Sequence, residues 1–193
     1  VEFANAAAGL EVEVFGTQAI PLSRGRRGIM LRQAPPQSTV RTPEELGVEL
    51  EVHREAGHRI VLTNGCFDVV HAGHVAYLRE AANLGDVLVV GVNIDEEVAK
   101  QKGPDRPVYP LEQRLAILAE FRCIDYLVSF PEPTAHELIK AVMPDVYVKG
   151  GDYRPEEINE HDIVTELEIE LQVLGHRPGL SSTDVIERMT EDG

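Results

Sequence analysis

Residues 59–74, RIVLTNGCFDVVHAGH, decide the fold class. The apolar run IVL is typical of a buried strand, and residues 73–84 place apolar side chains at helical spacing. Between them lie Gly65, which allows a sharp turn or a close approach to a ligand, and two histidines three positions apart, His71 and His74. The stretch therefore predicts a strand, a turn, and a helix that begins beside a pair of imidazoles.

The alternation of strand and helix continues along the chain. The apolar pattern predicts five strands, at residues 59–64, 87–93, 124–129, 146–149 and 169–174. It predicts helices that begin at residues 42, 73, 111, 135, 157 and 182. Strands separated by single helices imply right-handed crossovers. We therefore expect an α/β fold, a doubly wound, Rossmann-like parallel sheet of about five strands covered on both faces.

The beginning of the chain has a different composition. Residues 21–41 are rich in arginine, glycine and proline and show no sustained period, which is typical of a linker. Thr42 and Pro43 then suit the N-cap and the first position of a helix. The expected organisation is a short segment at residues 1–20, a linker at 21–41 and one domain at 42–190.

Charge and cysteine content exclude several classes of function. The 193 residues include 18 basic and 33 acidic side chains, a net charge of −15, which disfavours binding to nucleic acid. No apolar run is long enough for a membrane span, and no signal segment is apparent. The two cysteines, Cys66 and Cys123, lack metal-type spacing. We expect a cytoplasmic protein without a disulfide framework.

The histidine pair is the strongest chemical signal in the sequence. In a parallel sheet, ligands bind beyond the carboxyl ends of the strands, where His71 and His74 are expected. Imidazoles at a helix N-terminus lie beside unsatisfied N–H groups and form an anion site, and Gly73 leaves room for a phosphate. The pattern is neither a Walker loop nor a Gly-x-Gly-x-x-Gly loop. A structural role for either histidine, or a zinc site, is the alternative.

The string Gly65-Cys66-Phe67-Asp68, followed by His71-Ala72-Gly73-His74, resembles the His-x-Gly-His signature of nucleotidyltransferases of the cytidylyltransferase type. A second signature of that family, Ile-Ser-Thr-Thr, has its counterpart in residues 179–183, GLSST, before the last predicted helix. The resemblance covers residues from about 40 to 190, and the two motifs occur in the expected order.

The resemblance implies direct nucleotidyl transfer from a nucleoside triphosphate to a phosphorylated acceptor. Mg²⁺ is expected with the nucleotide, held by the triphosphate and water more than by the chain, and we assign no metal ligands. The implied catalytic residues are His71, His74 and Lys102. The implied nucleotide-binding residues are Gly65, Cys66, Phe67, Asp68, Gly73, Arg114, Gly150, Asp152, Ser181, Ser182 and Thr183. Lys100 and Lys102, expected in a loop after the second strand, are implied for the acceptor phosphate.

Several of these residues have a second interpretation. Lys100 and Lys102 also fit solvated surface lysines. Arg114 supports either the nucleotide or an ion pair with Glu112 or Glu120 on the helix surface. The segment that contains Asp152 contacts the base or ribose, or is a plain turn.

Three more assignments stay open in the sequence. Asp68 either orients His74 or lies near the phosphates. Cys66 fits a small packing residue better than a nucleophile. His176 and Arg177 occupy the place where some family members have an arginine, so a phosphate contact from either is an open question.

Two segments narrow the resemblance. Residues 63–68, TNGCFD, and 149–156, KGGDYRPE, resemble the adenylyltransferase half of the bacterial heptose enzymes. That half transfers AMP from ATP to D-glycero-β-D-manno-heptose 1-phosphate and gives ADP-heptose for lipopolysaccharide core synthesis. Residues 1–20 resemble the end of the sugar-kinase domain that precedes it, so most of a kinase domain is expected to be absent from this chain.

Two alternatives to this function remain. One is a cytidylyltransferase that acts on glycerol 3-phosphate or another small phosphorylated alcohol. The other is a nucleotide-binding module without catalytic activity. The resemblance is also compatible with a homodimer, although no residues specify its interface.

Overall fold

The structure, a computed structural model, describes residues 39–175. The predictions made for residues 1–38 and 176–193, including the last helix, lie outside the described residues. The strands are β1 (Ile60–Gly65), β2 (Val87–Asn93), β3 (Tyr126–Phe130), β4 (Val146–Gly150) and β5 (Glu170–Leu174). The helices are α1 (Pro43–Glu55), α2 (Ala72–Ala82), α3 (Asp95–Lys102), α4 (Leu111–Ala119), α5 (His136–Val142) and α6 (His161–Glu166), with a 3₁₀ turn at Pro155–Glu157.

The five strands form one parallel sheet in the order β3-β2-β1-β4-β5. Leu62 of β1 lies opposite Val89 of β2 on one side and Tyr147 of β4 on the other. The strand order therefore reverses between β1 and β4. In sheets of this kind, ligands bind in a crevice at the carboxyl ends of the two strands between which the order reverses.

Two cores lie on opposite faces of the sheet. Ile60 and Leu62 belong to a first core with side chains of α1, α5 and α6, whereas Val61 belongs to a second core with side chains of α2 and α4. All seven residues of β2 are buried, as expected for a strand covered on both faces. The predicted doubly wound fold is confirmed.

Helix α1 begins as its sequence predicts. The Thr42 hydroxyl accepts a hydrogen bond from the Glu45 N–H at 3.2 Å, and the Glu45 carboxylate accepts one from the Thr42 N–H at 2.9 Å. This reciprocal arrangement satisfies two N–H groups that the first turn of a helix leaves without partners. Just before α1, Val40 forms an isolated parallel bridge with Leu127 of β3. Val40 lies near the end of the segment that was predicted as a linker.

The connection from β2 to β3 differs from the prediction of single helices. It contains two helices, because residues that were expected in a loop form α3. Helix α3 has three acidic residues in its first turn and Lys100 and Lys102 in its last, a distribution that the helix dipole favours. Val98 is its sole buried apolar side chain, so α3 lacks the apolar period that reveals the other helices. The predicted helix at 157–166 is shorter and follows the 3₁₀ turn.

No helix within residues 39–175 combines the length and the apolar character that a membrane span requires.

Candidate active site

His71 and His74 come together at the beginning of α2, and their ring centroids are 4.0 Å apart. His71 is the N-cap of the helix, and its Nδ1 accepts a hydrogen bond from the Gly73 N–H at 3.1 Å. The His71 N–H donates in turn to Nδ1 of His74 at 3.3 Å. The histidine side chains thus replace the serine and glutamate of an ordinary capping box.

These hydrogen bonds fix the tautomers of both rings. Because each Nδ1 accepts from a backbone N–H, a neutral ring must carry its proton on Nε2. Capping of α2 therefore leaves His71 and His74 with Nε2–H groups as their donors. Neutral donors beside a helix N-terminus suit the oxygens of an anion.

The surroundings keep His74 neutral at physiological pH. Burial lowers the pKa of His74 to about 4, and the positive charges of His71 and Lys102 act in the same direction. The Phe67 ring contributes to this burial, with its centroid 5.6 Å from that of His74. His74 is consequently a hydrogen-bond donor near pH 7 rather than an imidazolium ion.

The loop between β1 and α2 has an unusual backbone. Phe67 and Val69 have φ angles of 48° and 54°, in the left-handed region that bulky side chains rarely adopt. The Phe67 ring folds back over Gly65, where an added Cβ would lie 3.3 Å from Cε2 of that ring. Strained backbone of this kind is common at functional sites, and here it holds an aromatic ring beside His74.

The two lysines of α3 have different surroundings. Lys100 forms an ion pair with the nearly buried Glu97, one turn earlier in the same helix. The Lys102 ammonium is exposed and lies near enough to the loop after β1 to lower the pKa of His74. The structure therefore brings Lys102 toward the histidine pair and engages Lys100 within its own helix.

Cys66 is buried, and its Sγ lies 3.7 Å from the side-chain oxygen of Gln101. Burial raises the pKa of the thiol, although the charges of Lys102 and Arg114 oppose the shift. A neutral thiol is a poor nucleophile. These surroundings agree with the packing role expected from the sequence.

Asp68 has partners that the sequence did not predict. Its carboxylate is fully buried and forms an ion pair with Arg106 at 2.6 Å. The N–H groups of Val108 and Tyr109 donate to the same carboxylate at 2.9 and 3.1 Å. Burial alone would raise the pKa of Asp68, but these hydrogen bonds and the guanidinium hold it below its usual value. In the structure Asp68 anchors the loop before α4 and makes no hydrogen bond to His74.

Arg114 is fully buried, and its guanidinium connects four segments. It donates to the carbonyl oxygens of Tyr109 at 3.0 Å, Cys66 at 2.5 Å and Asn93 at 2.8 Å. It also forms an ion pair with Asp95 at 2.7 Å. Of the two interpretations of Arg114, the ion pair with Glu112 or Glu120 on the helix surface is therefore wrong. Arg114 joins the ends of β1 and β2 to α3 and to the loop before α4, and its nucleotide role stays a prediction.

The segment after β4 lies at the same edge of the sheet. Gly150 packs against Tyr77, since an added Cβ would lie 3.0 Å from Cε2 of that ring. Gly151 has a φ of 141°, and an added Cβ would come within 2.3 Å of the Tyr153 ring. Asp152 is exposed. The φ angle and the close Tyr153 ring both favour glycine at this position of the turn after β4.

Four polar residues near this edge were not singled out by sequence reasoning. Asn64, Tyr147, Lys149 and Glu160 form what we term the Asn64 cluster, on the first-core side of the sheet. Lys149 donates to Asn64 Oδ1 at 3.0 Å and lies 3.1 Å from Glu160 Oε2. The signal available in the sequence was a tyrosine and a lysine two positions apart in an otherwise apolar strand, which places both on one face.

The second motif, Ser181, Ser182 and Thr183, lies outside the described residues, as do His176 and Arg177. Their predicted roles stay predictions. Within residues 39–175, the structure gathers Gly65, Cys66, Phe67, Gly73, His71, His74 and Lys102 around the beginning of α2. It places Gly150 at the end of β4 and Asp152 just after it. Asp68 and Arg114 are buried, where they hold the loops of the site together.

The chain belongs to the cytidylyltransferase-like family, which it matches over residues 62–188. This class agrees with the parallel sheet and with the paired histidines at the helix N-terminus.

Relatives and a solved structure refine the comparison. The chain is 43% identical over 190 residues to the bifunctional protein HldE of Aeromonas hydrophila, and 44% identical over 193 residues to HldE of Escherichia coli K12. Each match covers 98% of this chain and 40% of the relative, so the chain spans about two fifths of their length. The crystal structure of the lipopolysaccharide core biosynthesis protein from Thermoplasma volcanium is 28% identical, with a TM-score of 0.52. That match covers 63% of this chain and 98% of the other.

Proposed function

We propose that this chain transfers AMP from ATP to D-glycero-β-D-manno-heptose 1-phosphate, giving ADP-heptose and pyrophosphate. The observation that carries the proposal is the pair of imidazoles, 4.0 Å apart, at the N-terminus of α2. The identity to HldE proteins and the similarity to a lipopolysaccharide core biosynthesis protein support the choice of nucleotide and acceptor.

The reaction requires positioning and charge stabilisation more than acid–base chemistry. An oxygen of the acceptor phosphate attacks the α-phosphorus in line. The bond from that phosphorus to the bridging oxygen of the β-phosphate breaks, and its electron pair leaves with pyrophosphate. The attacking phosphate is already ionised at pH 7, so no general base is needed. This agrees with a site whose His74 is a neutral donor and whose Cys66 thiol is neutral.

Each group near the pair has a proposed role. Nε2–H groups of His71 and His74 donate to oxygens of the α- and β-phosphates, where negative charge grows as pyrophosphate leaves. The Lys102 ammonium neutralises the acceptor phosphate and the α-phosphate. Lys100 has a smaller part, because its charge is paired with Glu97. Ser181 and its neighbours Ser182 and Thr183 hold the far phosphates.

Magnesium enters this proposal as part of the substrate, MgATP. Among the described residues no three His, Cys, Asp or Glu side chains form a group that could hold a metal ion. The ion is therefore proposed to bind through triphosphate oxygens and water, and no protein ligand is assigned to it.

The division of the chain is also a proposal. Residues 42–190 are the transferase domain, 21–41 a linker and 1–20 the end of a kinase domain. The family match at residues 62–188 falls inside the proposed transferase domain, and the relatives are named bifunctional.

The deciding experiment measures pyrophosphate release from ATP, Mg²⁺ and heptose 1-phosphate. His71→Ala and His74→Ala should each lower turnover by about 100-fold while circular dichroism shows an intact fold. His161→Ala, at the beginning of α6, is the matched control and should keep full turnover. Near-wild-type turnover in both site variants would refute the role of the pair.

Two other outcomes would redirect the proposal. Release with CTP and glycerol 3-phosphate, but not with ATP and the heptose, would indicate a cytidylyltransferase. Tight ATP binding in a calorimeter with no acceptor-dependent turnover would indicate a non-catalytic nucleotide-binding module.

A further inference from the structure

The Asn64 cluster holds one side-chain amide in a defined orientation. Asn64 is the fifth residue of β1 and is half-buried at the carboxyl end of the strand. Its Oδ1 accepts from the Tyr147 hydroxyl at 2.6 Å and from the Lys149 ammonium at 3.0 Å. An ammonium group can only donate, so the atom that faces Lys149 must be the amide oxygen. The Asn64 NH₂ group is thereby directed away from the cluster.

The cluster is electrically balanced, and Glu160 Oε2 contributes to it through an ion pair with Lys149 rather than a hydrogen bond. The Lys149 ammonium has three N–H groups and three oxygen neighbours: Asn64 Oδ1, the Tyr147 hydroxyl at 3.1 Å and Glu160 Oε2 at 3.1 Å. The Glu160 carboxylate is buried, and its other oxygen accepts from the Ala135 N–H at 3.1 Å. Lys149 is therefore a positioning residue, and its charge is compensated by Glu160.

The amide nitrogen has no hydrogen-bond partner among residues 39–175, and it is not one of their buried unpaired atoms. A half-buried amide donor held in one orientation beside a ligand crevice is suited to a ligand oxygen. Because the nearby charges of Lys149 and Glu160 cancel, an uncharged hydroxyl fits this position better than a phosphate.

The location relates the amide to the histidine pair. Asn64 lies on the first-core face of the sheet, next to Leu138 of that core. The neighbouring Gly91 shows this, because a Cβ added there would lie 3.3 Å from Asn64 Cβ and 2.4 Å from Leu138 Cδ2. The histidines begin α2, which packs on the second-core face. Both positions flank the carboxyl end of β1, where the strand order reverses.

We propose that the Asn64 amide donates a hydrogen bond to a sugar hydroxyl of the substrates, and that Lys149 and Tyr147 hold it in place. The proposal rests on the proposed function for the identity of the substrates. Two sugars carry this chemistry, the acceptor heptose and the ribose of ATP, and the experiment separates them.

The main test is Asn64→Asp, which keeps the size of the side chain and an oxygen toward Lys149 but replaces the NH₂ donor by an acceptor. Binding of ATP, of 2′- and 3′-deoxy-ATP and of heptose 1-phosphate is measured by calorimetry, and turnover by pyrophosphate release. We expect binding of one substrate to weaken about tenfold or more, with the circular dichroism spectrum unchanged.

The pattern of losses identifies the sugar. Weaker binding of heptose 1-phosphate with unchanged ATP binding assigns the hydroxyl to the acceptor. If Asn64→Asp binds ATP more weakly than the wild type does, but both proteins bind one deoxy analogue equally well, the hydroxyl belongs to the ribose. Binding of every ligand within twofold of wild type in folded Asn64→Asp overturns the proposal. If the wild type shows no turnover with the heptose, the proposed function fails, and the calorimetric comparison still decides the role of Asn64.

A second variant tests the positioning role of Lys149. Lys149→Met removes the group that fixes the amide, so the KM of the affected substrate should rise by about tenfold while kcat changes by less than threefold. Lys140→Met is the matched control, because Lys140 is an exposed lysine of α5 paired with Glu137. Equal KM values in Lys149→Met and Lys140→Met would contradict the positioning role.

Discussion

Replacement of Arg114 by methionine should destabilise the fold more than its place on a helix suggests. Arg114→Met keeps an apolar side chain of similar length but removes a fully buried guanidinium. The substitution removes the hydrogen bonds that the guanidinium donates to the carbonyl oxygens of Cys66, Asn93 and Tyr109. It also removes the ion pair with the Asp95 carboxylate. Three main-chain oxygens would lose their partner at the edge where the substrates are proposed to bind.

The magnitude follows from these contacts. A hydrogen bond that involves a charged group contributes about 1.5 to 3 kcal/mol, and four are lost. Asp95 is partly exposed and can bond to water instead, so we count three bonds at the low end of the range, which gives about 4.5 kcal/mol. This value agrees with the roughly 3 to 5 kcal/mol lost when one partner of a buried ion pair is removed.

Urea unfolding followed by circular dichroism measures the loss directly, as a lower midpoint at an unchanged slope. Arg79→Met, an exposed arginine of α2, is the control and should change stability by less than about 0.5 kcal/mol. Arg114→Lys retains the charge without the planar set of donors and should fall between the two. A loss below about 1 kcal/mol in Arg114→Met would refute the idea that this residue holds the edge together.

Two further results are expected at the histidine pair. In a nuclear magnetic resonance titration, the His74 ring should titrate near pH 4, whereas an unfolded histidine titrates near 6.5. As the pH falls, the unfolded state binds the proton first, so the free energy of unfolding should decline between about pH 6.5 and pH 4. A His74 ring that titrates near 6.5 in the folded protein would contradict the burial argument. Lys102→Ala should lower kcat/KM by tenfold or more and should raise the pKa of His74. Lys100→Ala should change kcat/KM by less than threefold, because Lys100 is paired with Glu97. Equal effects of the two variants would refute the distinction between these lysines.

The fold could be predicted because each strand carries its own signal. Strand β2 was predicted at its observed bounds, Val87–Asn93, since a strand buried on both faces is an uninterrupted apolar run between polar residues. Helix α1 was found from its cap at Thr42. Helix α3 was missed because it has no apolar period to detect. The sequence feature that favours it is the distribution of its charges, acidic in the first turn and basic in the last.

The histidine pair could be predicted for a similar reason, since both residues and the helix that they cap lie within one short segment. The partners of Asp68 and Arg114 could not. Arg114 is buried because carbonyl oxygens of Cys66 and Asn93 converge on one point, although they lie 48 and 21 positions away in the chain. Spacing along a sequence carries no information about such a convergence, and an arginine among helical residues is usually exposed.

Pairing of the charges around the site shows what binds an anion there. Arg106 is paired with Asp68, Arg114 with Asp95, Lys149 with Glu160 and Lys100 with Glu97. Lys102, by contrast, has no ion pair among residues 39–175. In a chain with a net charge of −15, other donors that residues 39–175 bring to this edge are the imidazole N–H groups and the helix N–H groups. Such donors are screened little by salt, so ATP affinity should depend only weakly on ionic strength, unlike that of a site built from arginines.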